Sequence, residues 1–124
     1  MVAKITAEQM ETYRATARRR QQERAYELEA RRQRAWVVAE KASRLLKEQF
    51  GAKRVVVFGS LNVPERFHRY SDLDLAVWGL AERDYYRAVS RLLDLDFDIS
   101  VDLVEAELAS SALLAIIELE GKPV

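Results

Sequence analysis

A chain of 124 residues, 49% apolar and 32% charged, is long enough for one domain with a modest core. It contains no cysteine, which excludes a disulfide framework or a thiolate metal site and fits a reducing compartment. No apolar run reaches membrane-spanning length and the first six residues do not begin a signal peptide, so a soluble cytoplasmic protein is expected.

The net charge is zero but unevenly divided. Residues 1–48 carry 12 Lys/Arg against 7 Asp/Glu, and residues 49–124 carry 8 against 13. The chain therefore reads as a basic arm over 1–49 and an acidic domain over 50–124.

The arm predicts one long helix over 6–49. Thr6-Ala-Glu-Gln9 is a capping-box pattern, no Gly or Pro occurs between Gln9 and Phe50, and Gly51 supplies a stop. Trp36, Val37, Ala39, Ala42, Leu45, Leu46 and Phe50 recur at helical spacing and are expected to pack on the domain. Before them the apolar residues are sparse, and Arg14, Arg18, Arg19, Arg20, Arg24, Arg31, Arg32 and Arg34 crowd the sequence. A helix of about 44 residues spans roughly 65 Å and would overhang a small domain. Arginines and tyrosines on such an overhang suit a partner interface. A solvated helix, or a hairpin folded back on the domain, are the plainer readings.

The apolar, β-branched run over 54–58 predicts a strand buried on both faces. Gly59 and Ser60 end it, with backbone N–H groups and a hydroxyl that suit a phosphate. In the loop over 61–70, Pro64 stiffens the turn, and the lone His68 reads as a surface residue rather than a ligand. A second strand is expected over 72–78. On it Asp72 and Asp74 share one face while Leu73, Leu75 and Val77 share the other. Two like charges so close are costly unless a cation joins them, and a hard divalent ion such as magnesium is the natural occupant. A helix is expected next, over 82–93, with Tyr85, Val89, Leu92 and Leu93 inward. A third strand over 97–104 puts Ile99, Val101 and Leu103 on one side and Asp98, Ser100 and Asp102 on the other. A last helix over 107–120 offers Leu108, Leu113, Ile116, Ile117 and Leu119 as a broad apolar face.

Gly59-Ser60, a loop, and then Ser71-Asp72-Leu73-Asp74-Leu75 resemble the signature of the nucleotidyltransferases related to DNA polymerase β. The small size resembles their minimal branch, the MNT proteins, many of which look like antitoxins paired with a HEPN ribonuclease toxin. The resemblance spans about 53–121 and leaves the arm unmatched. It implies an α+β fold, a small mixed sheet packed by helices with the long helix added in front. It implies a site in which Gly59, Ser60 and Ser71 bind a nucleotide, with ATP as the substrate, and Asp72 and Asp74 hold magnesium. The strand Val101-Asp102-Leu103-Val104 looks like the family's third-carboxylate strand, which makes Asp102 the third ligand of a two-ion site, with Asp98 as the alternative. The family's small-residue and arginine turn after Gly-Ser is replaced here by Leu61, Asn62 and Val63. Arg66 or Arg69 could return the missing charge.

The activity so implied is transfer of AMP from ATP to a hydroxyl, a tyrosine of the HEPN toxin, which silences it. The chain has no residues left for an acceptor-presenting domain, so the acceptor arrives in trans. Two other readings stand beside it: a binding-only antitoxin with a vestigial site, and an enzyme acting on RNA ends through its arginine-rich helix.

Overall fold

The computed structural model describes residues 4–124. Residues 1–3, the start of both the arm and the stretch read as lacking a signal peptide, lie outside the described residues.

The first element, α1, runs over Ala7–Phe50. Its start is fixed by the capping box: the Thr6 hydroxyl accepts from the Gln9 N–H at 3.0 Å and the Gln9 side chain accepts from the Thr6 N–H at 2.9 Å. It ends at Gly51, whose φ of 69° is left-handed and lets the chain turn back. No described residue of α1 before Ala35 is buried. From there Ala35, Val38, Ala39, Ala42, Leu46 and Phe50 form one buried stripe. The small residues on this stripe bring the helix close to the sheet. Trp36 and Leu45 pack at its border, while Val37 faces outward at 47% exposure, contrary to the sequence expectation.

Four strands make one mixed sheet: β1 (Arg54–Phe58), β2 (Leu73–Trp78), β3 (Val101–Glu105) and β4 (Lys122–Pro123), in the order β3-β2-β1-β4. The pairs β1–β2 and β1–β4 are antiparallel, and β2–β3 is parallel. The parallel pair is joined through α2 (Tyr85–Leu93), as a parallel crossover requires. The mixed α+β fold is thus borne out. One face of the sheet packs Val55, Val57, Leu75, Val77 and Leu103 against α1 and α2. The other packs Val56, Phe58 and Ala76 against Ile117 of α3 (Ser111–Glu120).

Several boundaries depart from the sequence reading. The third strand begins at Val101 rather than residue 97, because the Asp96 carboxylate accepts from the N–H groups of Asp98 and Ile99 and folds that stretch into a turn. Phe97 is 98% exposed as a result. The helix expected over 82–93 opens with a 3-10 turn, Glu82–Asp84, before α2. The last helix is split: Ala106–Leu108 form a 3-10 turn, and Ser110 then caps α3 by accepting from the Leu113 N–H. Leu108, Ile116 and Leu119 consequently face outward, as does Leu93 of α2. The two-residue β4 was not expected. It is held where the Val124 N–H donates to the Val55 carbonyl and where Ser43 and Lys47 donate to the Val124 carbonyl.

Candidate active site

The site grows from the way β1 ends. Phe58 pairs with Asp74 across the antiparallel ladder, and the chain then leaves the sheet at Gly59 with φ of 79°. Only glycine fits there. The backbone is left-handed, and an added Cβ would overlap the Asp74 carboxylate. Gly59 and Ser60 open a 3-10 turn over Gly59–Asn62. Among the described residues, the Ser60 hydroxyl makes no hydrogen bond to protein.

The parallel pairing supplies the second element. Asp74 lies in register with Asp102 on β3, as Leu73 does with Val101 and Leu75 with Leu103. Side chains alternate along both strands. The face that carries Ala76 and Val104 over α3 therefore carries Asp74 and Asp102 two residues earlier. Asp72, just before β2, has the same parity. Burial pushes the Asp74 carboxyl up to about 6 from its ordinary 3.8, and the charges of Asp102 and Asp72 push it the same way. Asp72 and Asp102, both exposed, thus lie near enough to the half-buried Asp74 for their charges to act on it, and Asp74 lies beside the Gly59 turn.

The other sequence candidates are placed differently. Ser71 is buried, its hydroxyl accepts from the His68 N–H at 3.0 Å, and its carbonyl accepts from Arg31 at 3.1 Å. Arg66 pairs with Glu120 at 2.9 Å. Arg69 lies over the Tyr70 ring. Asp98 lies in the turn ahead of β3 and is held by Arg31 and Arg34, each at 2.6 Å, so it is engaged away from Asp74. The unusual turn after Ser60 has a structural role: Leu61 is fully buried, and the Asn62 amide donates to the Val57 and Glu120 carbonyls. His68 Nδ1 accepts from the Tyr70 N–H.

Two residues escaped the sequence reading. Asn62 staples the turn to the end of α3. Arg31 ties the arm to both Ser71 and the turn at Asp98. Its one signal was that Arg31 and Arg34 stand three apart on a helix and so share a face.

Among the described residues, no group of three or more His, Cys, Asp or Glu side chains is placed so that it could hold a metal ion. The donor set nevertheless suits a hard divalent ion: carboxylate oxygens that repel one another, one of them half-buried and holding its proton more tightly than usual. A cation there would relieve the repulsion that helps raise the Asp74 pKa.

The family described as polymerase beta nucleotidyltransferase matches residues 40–124, and the chain belongs to it. Among solved structures, the chain is similar to one in a toxin–antitoxin complex crystallised with AMP-PNP. The identity is 28% and the TM-score 0.58, over 68% of this chain and 70% of that one. It is similar to a chain in the structure of the tri-AMPylated Shewanella oneidensis HEPN toxin with an MNT antitoxin, at 26% identity and TM-score 0.54, over 72% and 70%. A structure described as a minimal nucleotidyltransferase matches at 31% identity and TM-score 0.55, over 78% of this chain and 95% of that one. No curated protein matches the chain. The resemblance drawn from Gly59-Ser60 and the paired aspartates is borne out at the level of family and fold. No helix among the described residues is long and apolar enough to cross a membrane.

Proposed function

We propose that this chain is a cytoplasmic antitoxin subunit that transfers AMP from ATP to a tyrosine hydroxyl of a HEPN ribonuclease partner and so neutralises it. The observation that carries the reading is the register of Asp74 with Asp102 directly beside the Gly59 turn. It sets the Asp74 carboxylate against the left-handed Gly59 turn. The structures in which similar chains accompany AMP-PNP or an AMPylated toxin point to the same chemistry.

In this reading Gly59 and Ser60 receive the triphosphate with backbone N–H groups and a hydroxyl. Asp72, Asp74 and Asp102 would hold magnesium, which when bound neutralises charge on the phosphates. The acceptor oxygen bonds to the α-phosphorus, the α–β bridging P–O bond breaks, and pyrophosphate leaves. Asp102, on the exposed side of the cluster, takes the hydroxyl proton. Positioning and electrostatics supply most of the rate.

The test is a labelling reaction. The protein is mixed with α-labelled ATP, magnesium and its co-purifying HEPN partner, then resolved by mass. Label on a partner tyrosine, absent with the Asp72→Asn/Asp74→Asn double variant, supports the reading. A tight complex that takes no label under any nucleotide or metal overturns it.

That second outcome would favour neutralisation by binding alone. One feature speaks for it: Leu61 is buried and Arg66 is committed to Glu120, so of the two loop arginines only Arg69, stacked on Tyr70, has no carboxylate partner among the described residues.

A further inference from the structure

The arginines of α1 fall into two groups. Near the domain each has a carboxylate: Arg31 and Arg34 hold Asp98, and Arg32 holds Glu29. Further out, Arg14, Arg18, Arg19, Arg20 and Arg24 are exposed, and among the described residues none has a carboxylate partner. Residues 12–22 hold Arg14, Arg18, Arg19 and Arg20 and contain no Asp or Glu. Glu11 and Glu23 bound the stretch, and neither is paired with an arginine. Arg14 and Arg18 stand four apart, as do Arg20 and Arg24, so like charges meet along the helix at a cost that no carboxylate offsets. The stretch lies clear of the domain. Its inner end is about 14 Å along the helix from Arg31, and no residue in it is buried. The family match begins at residue 40, so this surface lies outside the matched region.

The arrangement around the helix narrows the partner. Successive residues step about 100° around the axis, so Arg18, Arg19 and Arg20 leave on three sides. A flat acidic protein face meets one side of a helix, whereas a groove walled by anions meets several. The major groove of B-form DNA is about 12 Å wide, is lined by phosphates on both rims, and admits an α-helix of about 10–12 Å diameter. The A-form major groove of duplex RNA is too narrow and deep for one. Single strands are held on aromatic stacking platforms, and Tyr13 is the one aromatic residue over 12–22. Tyr13, Gln21 and Gln22 add donors of the kind that phosphates accept. Residues 49–124, with 8 Lys/Arg against 13 Asp/Glu, repel the same polyanion and confine it to the projecting end.

We propose that the free end of α1, through Arg14, Arg18, Arg19 and Arg20, lies in the major groove of double-stranded DNA and holds it by its phosphates. Such contacts position a protein without reading sequence, so binding tolerates any sequence. The proposal does not depend on the adenylyl-transfer reading. The full chain is titrated into a labelled DNA duplex of mixed sequence, two helical turns long, and fluorescence anisotropy is followed. An RNA duplex and a single-stranded RNA of the same length, and polyglutamate, are titrated alongside. Saturable DNA binding is expected, falling about 100- to 500-fold between about 50 and 200 mM salt, the slope of four to five phosphate contacts. Arg18→Ala/Arg19→Ala/Arg20→Ala should weaken it at least tenfold and lower the salt slope by about 3. Alanine favours the helix, and circular dichroism checks that it is kept. Arg18→Lys/Arg19→Lys/Arg20→Lys should keep most of the affinity, because a phosphate asks for charge. Lys41→Ala/Arg44→Ala removes exposed cations from the packed half of the same helix and should change binding by less than about twofold. Equal affinity of wild type and the alanine variant, or an equal loss in Lys41→Ala/Arg44→Ala, overturns the proposal. So does loss of binding in the lysine variant. Either RNA bound more tightly than DNA, or polyglutamate bound as tightly, gives the arm to that partner and overturns it as well.

Discussion

Arg31 donates to the backbone carbonyl of Ser71 at 3.1 Å, a bond between the middle of the arm and the residue that precedes the paired aspartates. The same guanidinium holds Asp98 at 2.6 Å. One side chain therefore fixes the arm relative to the loop that carries Asp72 and to the turn that leads into β3.

Replacing Arg31 with Ala should lower stability by about 1–3 kcal/mol, the scale of hydrogen bonds to a charged group in a partly buried setting. Lysine should not restore it, because one ammonium cannot reach a carbonyl and a carboxylate with the geometry of a guanidinium fork. Asp98→Ala should cost less, about 0–1 kcal/mol, since that carboxylate is half exposed and Arg31 keeps its bond to Ser71. Urea unfolding of the three variants checks the order. A loss for Asp98→Ala as large as that for Arg31→Ala would place the effect in the ion pair rather than in the carbonyl contact.

Gly59→Ala tests the turn itself. A left-handed non-glycine residue costs about 1–2 kcal/mol, and the added Cβ must also displace the Asp74 carboxylate. Stability should fall, and nucleotide affinity should fall further than the loss of stability accounts for. Gly51→Ala is the control. It has a similar φ of 69°, but nothing lies within 4 Å of the added Cβ. Its cost should be backbone strain alone, with nucleotide affinity unchanged by titration calorimetry.

The parts of this architecture that were legible in the sequence are those written locally. The Thr6–Gln9 box, the apolar run ending at Gly59 and the alternation of Asp72, Leu73, Asp74 and Leu75 each declare themselves within a few residues. The parallel register of Asp74 with Asp102 joins strands that no local spacing connects: family resemblance supplied a mixed sheet and the choice of Asp102 over Asp98, and the register itself emerges only in the structure. The false start of the third strand has a physical cause: Phe97, Ile99 and Val101 alternate well, but the Asp96 side chain competes for the same backbone N–H groups and wins. The outward Leu108 and Leu119 likewise result from Ser110, which restarts the helix and rotates the face expected to be buried. The Arg31 contacts join residues 40 and 67 apart in sequence. Their geometry exists only once α1 lies against the sheet.

Asp74 predicts a pH dependence of definite sign. Its pKa in the folded chain is about 6, raised from 3.8. The fold therefore keeps the proton more tightly than the unfolded chain does. The resulting stabilisation is complete below about pH 4 and is lost as pH rises through about 6. With EDTA present, the stability of wild type relative to Asp74→Asn should decline across that window and level off above it. Magnesium should raise the melting temperature of wild type near neutral pH and do little at about pH 5, because the carboxyl must lose its proton to act as a ligand. Thermal melts at several pH values check both. A relative stability that rises across the window would reverse the sign and remove Asp74 from a repulsive cluster.

Asp102→Asn separates a catalytic carboxylate from a surface one. Asp102 is exposed, so as an isolated surface group its replacement would change little. It stands in register with Asp74, however, and its charge contributes to the raised pKa there. Removing that charge should stabilise the metal-free protein near neutral pH by about 0.2–1 kcal/mol, the scale of a cross-strand charge pair. The same change should reduce AMP transfer by about 100-fold or more, as loss of a preorganised charged group in a transfer site does. Stability and activity should thus move in opposite directions, read by melting temperature in EDTA and by label incorporation with magnesium. If both stay at the wild-type level, Asp102 belongs to the solvated surface. If both fall, its role is structural, and the proton acceptor must be sought elsewhere in the cluster.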